Sequence, residues 1–154
     1  VFQSTGSNTV QCVSYTRADG TPIVIPSYAG TRSVCLTAYA PATDTAVADD
    51  LVHFHVPASM NGMNLVSVHA EVITAGTTNT TDIQIANDTQ GADMLSTKIT
   101  IDSGETGSDT AAAAAVIDAS EDDVATNDLI RVDVDAISTT AAKGLVVTLE
   151  FRLP

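Results

Sequence analysis

Apolar and polar residues alternate along this chain in short blocks separated by polar turns. The block "LVHFHVP" (51–57) sets Val52, Phe54 and Val56 on one side and His53 and His55 on the other. That two-residue period is the mark of a half-buried strand. "MNLVSVHAEVITA" (63–75) reads as a long strand with Val66, Val68, Ala70 and Val72 facing inward. The intervening "ASMNG" reads as a hairpin loop, which would make the two strands neighbours. "TDIQIAN" (81–87) and "MLSTKITID" (94–102) follow after Thr-, Asn- and Gly-rich turns. "LIRVDVDAI" (129–137) and "GLVVTLEFRL" (144–153) close the chain, with Val132, Val134, Val147 and Leu149 expected in the core.

The first fifty residues have a different texture. "VQCVSYTRADGTPIVIP" predicts a strand at 10–16, a turn at 18–20 and a short strand at 21–25 closed by Pro26. "SVCLTAYA" (33–40) predicts a third strand, followed by the linker "PATDTAVADD". Three short strands are a thin basis for independent stability. Residues 1–50 are therefore read as an arm that packs on the rest or on a neighbour, and residues 51–154 as the main domain. Val10, Val13, Ile23, Ile25, Val34 and Leu36 have the apolar spacing of partner-binding positions. The five-Ala run at 111–115 is too short to nucleate a helix and reads as a loop leading into an edge strand near Ile117. The expected fold is all-β: an antiparallel β-sandwich of jelly-roll type with an extended N-terminal β arm.

Composition narrows the function classes. With 44% apolar residues but only 4% aromatic and no Trp, the core must be built from Val, Ile, Leu and Ala. No apolar run approaches the ~20 residues of a membrane span, and the first ten residues lack the basic start and apolar stretch of a signal peptide. A net charge of −13 with six Lys and Arg argues against nucleic acid as a partner. The charge is uneven: residues 1–50 carry four acids and two Arg, the remainder fifteen acids and four bases.

The acids invite a metal or catalytic reading. Ten of them lie between residues 102 and 135 with Arg131 as the one base. "NDLIRVDVDAIS" lacks the Gly and the distal Glu of a calcium loop. Alternation puts Asp133 and Asp135 on the wet face of a strand, so no metal is expected there. His53, His55 and His69 fall on polar faces of two strands taken to be paired, which makes them the weak candidates for a metal site. Cys12 and Cys35 match no zinc spacing; two buried thiols is the plain reading, and a disulfide between neighbouring strands the sharper one. There is no G-x-S-x-G, no Cys beside an evident base and no P-loop. No catalytic residues and no cofactor are expected.

The blocks "GMNLV", "TDIQIAN", "DMLSTKITID", "AVIDASEDDVATND" and "KGLVVTLEFRLP" give residues 62–154 a further meaning. This stretch resembles a domain recurrent in structural proteins of tailed bacteriophages. The resemblance implies a virion component, assembled in the host cytoplasm and carried at the capsid surface. Within that class, a short chain without a long repetitive shaft and with an N-terminal section distinct in charge ranks first a capsid decoration (cement) protein, a homotrimer clamping the major capsid protein and sister subunits, with neither nucleic acid nor membrane as partner. The alternative it leaves open is a receptor- or glycan-binding domain of a tail fibre or spike; a carbohydrate-active enzyme ranks last.

Overall fold

The computed structural model describes residues 30–154. The strands expected at 10–16 and 21–25, with Val10, Cys12, Val13, Ile23 and Ile25, lie outside the described residues. Eleven strands follow in chain order: β1 (Arg32–Asp44), β2 (Ala48–His55), β3 (Met63–Thr74), β4 (Thr81–Asn87), β5 (Ala92–Asp93), β6 (Leu95–Thr97), β7 (Ile99–Ile101), β8 (Val116–Ile117), β9 (Asp123–Val124), β10 (Leu129–Ala136) and β11 (Lys143–Arg152). All the pairings between them are antiparallel.

The two most strictly alternating strands sit at the centre. β11 lies between β1 and β3, with β9 beyond, and β10 lies between β2 and β4, with β5 and β7 along the far edge of β4. The two sheets face each other as a β-sandwich. Ile130, Val132 and Val134 of β10 and Leu145, Val147, Leu149 and Phe151 of β11 are fully buried between them. Ile83 and Ile85 of β4 and Leu65, Ala70 and Val72 of β3 complete this layer. As the scarcity of aromatics dictates, branched aliphatics do the packing; the Phe54–Phe151 pair, with centroids 6.4 Å apart, is the aromatic contact between the sheets.

Several expectations change. Of residues 1–50, those from 32 onward pack on the rest: β1 pairs with β11 from Arg32 to Asp44, and β2, which spans residue 50, pairs with β10. The alternation of Val34, Leu36 and Ala38 that suggested an arm places these residues against the sandwich core. Two irregularities in the β1 register let it pass Pro41. There Gly144 has φ +64, and a Cβ on it would lie 2.8 Å from Pro41 Cα, so only glycine fits both the dihedral and the close approach.

The 58–61 loop is not a hairpin. It carries the chain from one sheet to the other, so β2 and β3 do not pair. Met60 and Met63, each 3% exposed, draw the loop across the end of the sandwich. A 3-10 turn (Ala58–Met60) and a positive φ at Gly62 make the crossing.

Val66 does not face inward. In the β3–β11 register Ser67 opposes Glu150 and Leu65 opposes Phe151, leaving Val66 as the extra residue of a β-bulge. The bulge inverts the alternation: Met63 and Leu65 point in, Val66 points out at 38% exposure, and Ala70 and Val72 point in again. The block at 94–102 is likewise divided, into β6 and β7, at exposed Lys98.

Leu149→Ala should lower the unfolding free energy by about 2–5 kcal/mol, because a fully buried side chain leaves a cavity. Val66→Ser should change it by no more than about 0.5 kcal/mol. Urea unfolding followed by circular dichroism measures both, and equal losses would mean that the bulge is misplaced.

Candidate functional surfaces

Asp133 is the first correction among the candidate site residues. It points outward from β10, yet it is 4% exposed. Val132 opposes Val52 and Val134 opposes Ala48, so residues 49–51 bulge out of β2 opposite Asp133. Asp50 turns there at φ +57, and its N–H, without a strand partner, donates to Asp133 Oδ1 at 2.8 Å. The carboxylate thus stands in for a backbone carbonyl. Arg131 Nη1 lies 3.2 Å from Asp50 Oδ1 and 3.1 Å from Asp88 Oδ1. Its Nε is 3.1 Å from Asp133 Oδ2, an ion-pair distance, although its N–H is not aimed to donate. Asp135, two residues on, does remain at the surface and pairs with Lys98 at 2.7 Å.

Burial pushes the Asp133 carboxyl above the ordinary aspartate range, outweighing the Asp50 N–H and Arg131, which favour the anion. Burial also works against the guanidinium charge, but Asp133, Asp50 and Asp88 together hold Arg131 above its ordinary value. Lys98 is raised as well, chiefly through its bond to Asp135. This face of the second sheet is therefore a set of local ion pairs, in which Arg131 Nε and Asp82 Oδ1 are buried without a hydrogen-bond partner.

The three histidines are not brought together as a set. His53 and His55 lie on β2 in one sheet, and His69 on β3 in the other. His53 Nε2 is 3.6 Å from Asp50 Oδ1. His69 meets partners that alternation could not supply: Asp109 Oδ1 at 2.9 Å and Ser108 Oγ at 3.1 Å. Ser, His and Asp in contact suggest a nucleophilic relay, but the geometry argues otherwise. Both oxygens approach the same nitrogen, Nδ1, whereas a relay needs the serine on one ring nitrogen and the acid on the other. Ser108 Oγ also accepts the Ala70 N–H at 3.0 Å. The trio fastens residues 106–109 to the edge of β3.

Three further acids are engaged locally. Ser120, through its hydroxyl and its N–H, holds Asp118 below the ordinary carboxylate range. Asp122 accepts from Asn64 Nδ2. Buried Asp128, which the sequence pattern did not single out, accepts from Asn87 Nδ2 and the Ala125 N–H and ties the turn before β10 to β4. Among the described residues, no group of three or more His, Cys, Asp or Glu side chains is placed to hold a metal ion. Cys35 is exposed on the outward face of β1, contrary to the buried-thiol reading.

What the sandwich offers instead is one unfinished side. At the far side, β3 gives its edge to residues 106–108 and 122–124, and β4 gives its edge to β5 and β7. At the near side, β1 and β2 end their sheets, and no strand pairs with their outer edges among the described residues. Val34 and Leu36, two of the partner-binding candidates, lie here and are half-buried. A separate shallow groove of about 500 Å³ lies where residue 30 enters, lined by Gly30, Val66, Arg152, Leu153 and Pro154 among others.

Asp133→Ala should cost about 1–3 kcal/mol by leaving the Asp50 N–H unsatisfied, and Asp133→Asn, which keeps an acceptor, should cost less. Because the folded-state pKa of Asp133 is raised, its protonation favours the folded state. The wild type should therefore gain stability relative to Asp133→Asn as pH falls through the folded-state pKa toward about 3.9. Urea midpoints of both proteins from pH 7 to pH 3 read this difference, and a relative loss on acidification would contradict it. Compared with known proteins, this chain matches no family model, no curated protein and no solved structure at a significant level.

Proposed function

We propose that this chain is a structural component of a tailed-bacteriophage virion, a capsid decoration protein carried at the particle surface. The observation that carries the reading is the outer edge of β1, a thirteen-residue strand without a partner among the described residues and continuous with the N-terminal segment. Residues 33–43 of it carry no charge, in a chain of net charge −13. Native proteins blunt free edges with charges, short strands or proline, and here Pro41 is the blunting residue in an otherwise receptive strand. Such an edge suits strand addition, in which main-chain hydrogen bonds supply affinity.

In this reading the protein acts as a homotrimer through burial and strand pairing, with no catalytic step. Residues 1–29 and the β1 edge contact the major capsid protein and sister subunits, while the ion-paired acidic face stays in water. The virion assignment itself comes from the resemblance read in the sequence blocks of residues 62–154. The nested strand order, first with last and second with penultimate, supports the jelly-roll reading. The glycan-binding alternative is less favoured, since sugar sites use exposed aromatic platforms. Among the described residues the aromatics are otherwise engaged: Phe54 and Phe151 pack on each other, and the Tyr39 hydroxyl donates to the Ala46 carbonyl at 2.9 Å.

Quantitative mass spectrometry of purified virions should find this protein in copy numbers comparable to the major capsid protein. Deleting residues 1–29, which leaves β1 whole, should strip it from particles. A few copies per virion, located at the tail, would overturn the decoration reading in favour of the adhesin.

A further inference from the structure

We propose that Asn61 is a self-modifying site held unreactive by the fold. When the turn at 57–62 opens, the Gly62 backbone nitrogen attacks the Asn61 side-chain amide and closes a succinimide ring. The site lies outside the surfaces assigned to partners above and stands whether or not the chain belongs to a particle.

Asn61 is the one asparagine of the chain followed by glycine; Asn8, Asn64, Asn79, Asn87 and Asn127 precede Thr, Leu, Thr, Asp and Asp. A Cβ beside the backbone nitrogen crowds its approach to the preceding side chain. Glycine leaves that approach open and lets the backbone rotate most freely. Asn61 and Gly62 are both exposed in the turn that crosses the end of the sandwich. A Cβ built on Gly62 would meet nothing within 4 Å. Solvent therefore reaches the reacting atoms, and what restrains them is hydrogen bonding and dihedral angle.

Three hydrogen bonds hold the reacting groups apart. Asn61 Oδ1 accepts the Thr126 N–H at 2.9 Å and the Thr126 hydroxyl at 3.1 Å, which pins the electrophilic amide to the turn before β10. The nucleophile is occupied as well, since the Gly62 N–H donates to the Val124 carbonyl at 2.8 Å. Ring closure requires the Gly62 nitrogen to swing about the Asn61 Cα–C bond until it eclipses Cβ. For an L residue that orientation has a negative ψ in a sparsely allowed region, whereas Asn61 stands at ψ 127. The folded turn is thus the wrong conformer for reaction, and its bonds to Thr126 and Val124 hold it there.

The reaction balances with water alone. The Gly62 nitrogen gives its proton to solvent and bonds to Asn61 Cγ, the Cγ–Nδ2 bond breaks, and Nδ2 leaves as ammonia with a proton from solvent. Water then opens the ring at one of its two carbonyls. Opening at Cγ gives aspartate, with an unchanged backbone and an acceptor still offered to Thr126. Opening at the main-chain carbonyl gives isoaspartate, which routes the backbone through Cγ and lengthens it by one carbon. Met60 and Met63 are each 3% exposed, so the turn is anchored in a close-packed core on both sides and has no slack for an added atom. Opening is therefore one-way for chains that take the isoaspartate branch.

Peptide mass spectrometry of the full-length chain, held in mildly alkaline buffer with and without urea, tests this. Modification at Asn61 should run about tenfold or more slower in the folded chain than in urea, because only the locally opened fraction reacts. Thr126→Val removes a hydroxyl from an exposed position; it should speed the folded-state reaction several-fold and leave the rate in urea unchanged. Equal rates with and without urea, or a folded-state rate that Thr126→Val does not raise, would overturn the latch. An Asn61 that stays intact in urea would overturn the site itself. After the urea is diluted out, chains carrying isoaspartate should recover native circular dichroism to a smaller fraction than Asn61→Asp; equal recovery would overturn the one-way consequence. The virion copy number, which tests the particle reading, is judged separately.

Discussion

Both sheets depend on one pair of strands, β10 and β11, which the 137–142 connection carries from one sheet to the other. β10 holds β2 and β4, and β11 holds β1 and β3. The pairing is long-range in the extreme: Arg32 opposes Phe151, and Val52 opposes Val132. The N-terminal half therefore gains its ladder partners only when the last thirty residues are in place. Closing such loops costs entropy before contacts return it. The strict apolar alternation of β10 and β11 is the local compensation, because these central strands are buried on their inner faces without a single misplaced polar residue.

The same wiring makes the molecule asymmetric. One flank ends in a chain segment, residues 92–128, that is too irregular to form a long strand yet satisfies the edges of β3 and β4 in pieces. The other flank ends in the two longest edge runs, β1 and β2. Nothing of comparable length within residues 30–154 is left to cover them. The sealed flank holds the Ser108–His69–Asp109 contact and the Asp128 hub, polar devices that fasten loops. The open flank is apolar and uncharged along β1.

How much of this was legible in the sequence divides along a physical line. Periodicity revealed the strands at 33–40, 51–57, 63–75, 81–87, 129–137 and 144–153, and it placed Val132, Val134, Val147 and Leu149 in the core, where they are fully buried. It failed wherever a bulge reset the phase. Val66 was assigned inward because alternation was carried through the one residue that breaks it. Asp133 was assigned to water because pattern gives the face but not what lies on it, here a bulge in a strand eighty residues away. The hairpin between β2 and β3 was inferred from adjacency in sequence, whereas two buried methionines draw that loop across the sandwich. The arm reading of residues 1–50 rests on three short strands without a visible partner; for the part within the described residues, the partners are the distant strands β11 and β10.

The acids that first suggested chemistry gain a structural sense from this asymmetry. Asp50, Asp88 and Asp133 surround Arg131, Asp135 holds Lys98, and Asp44 holds Lys143. Three of the six cations are thereby committed to fixing strands, and most of the remaining acid charge is left to repel other copies. Exposed charges act over about 8 Å at physiological ionic strength, roughly the width of two strands. The charged faces therefore repel a like-charged copy, whereas residues 33–43 of β1 carry no charge that would.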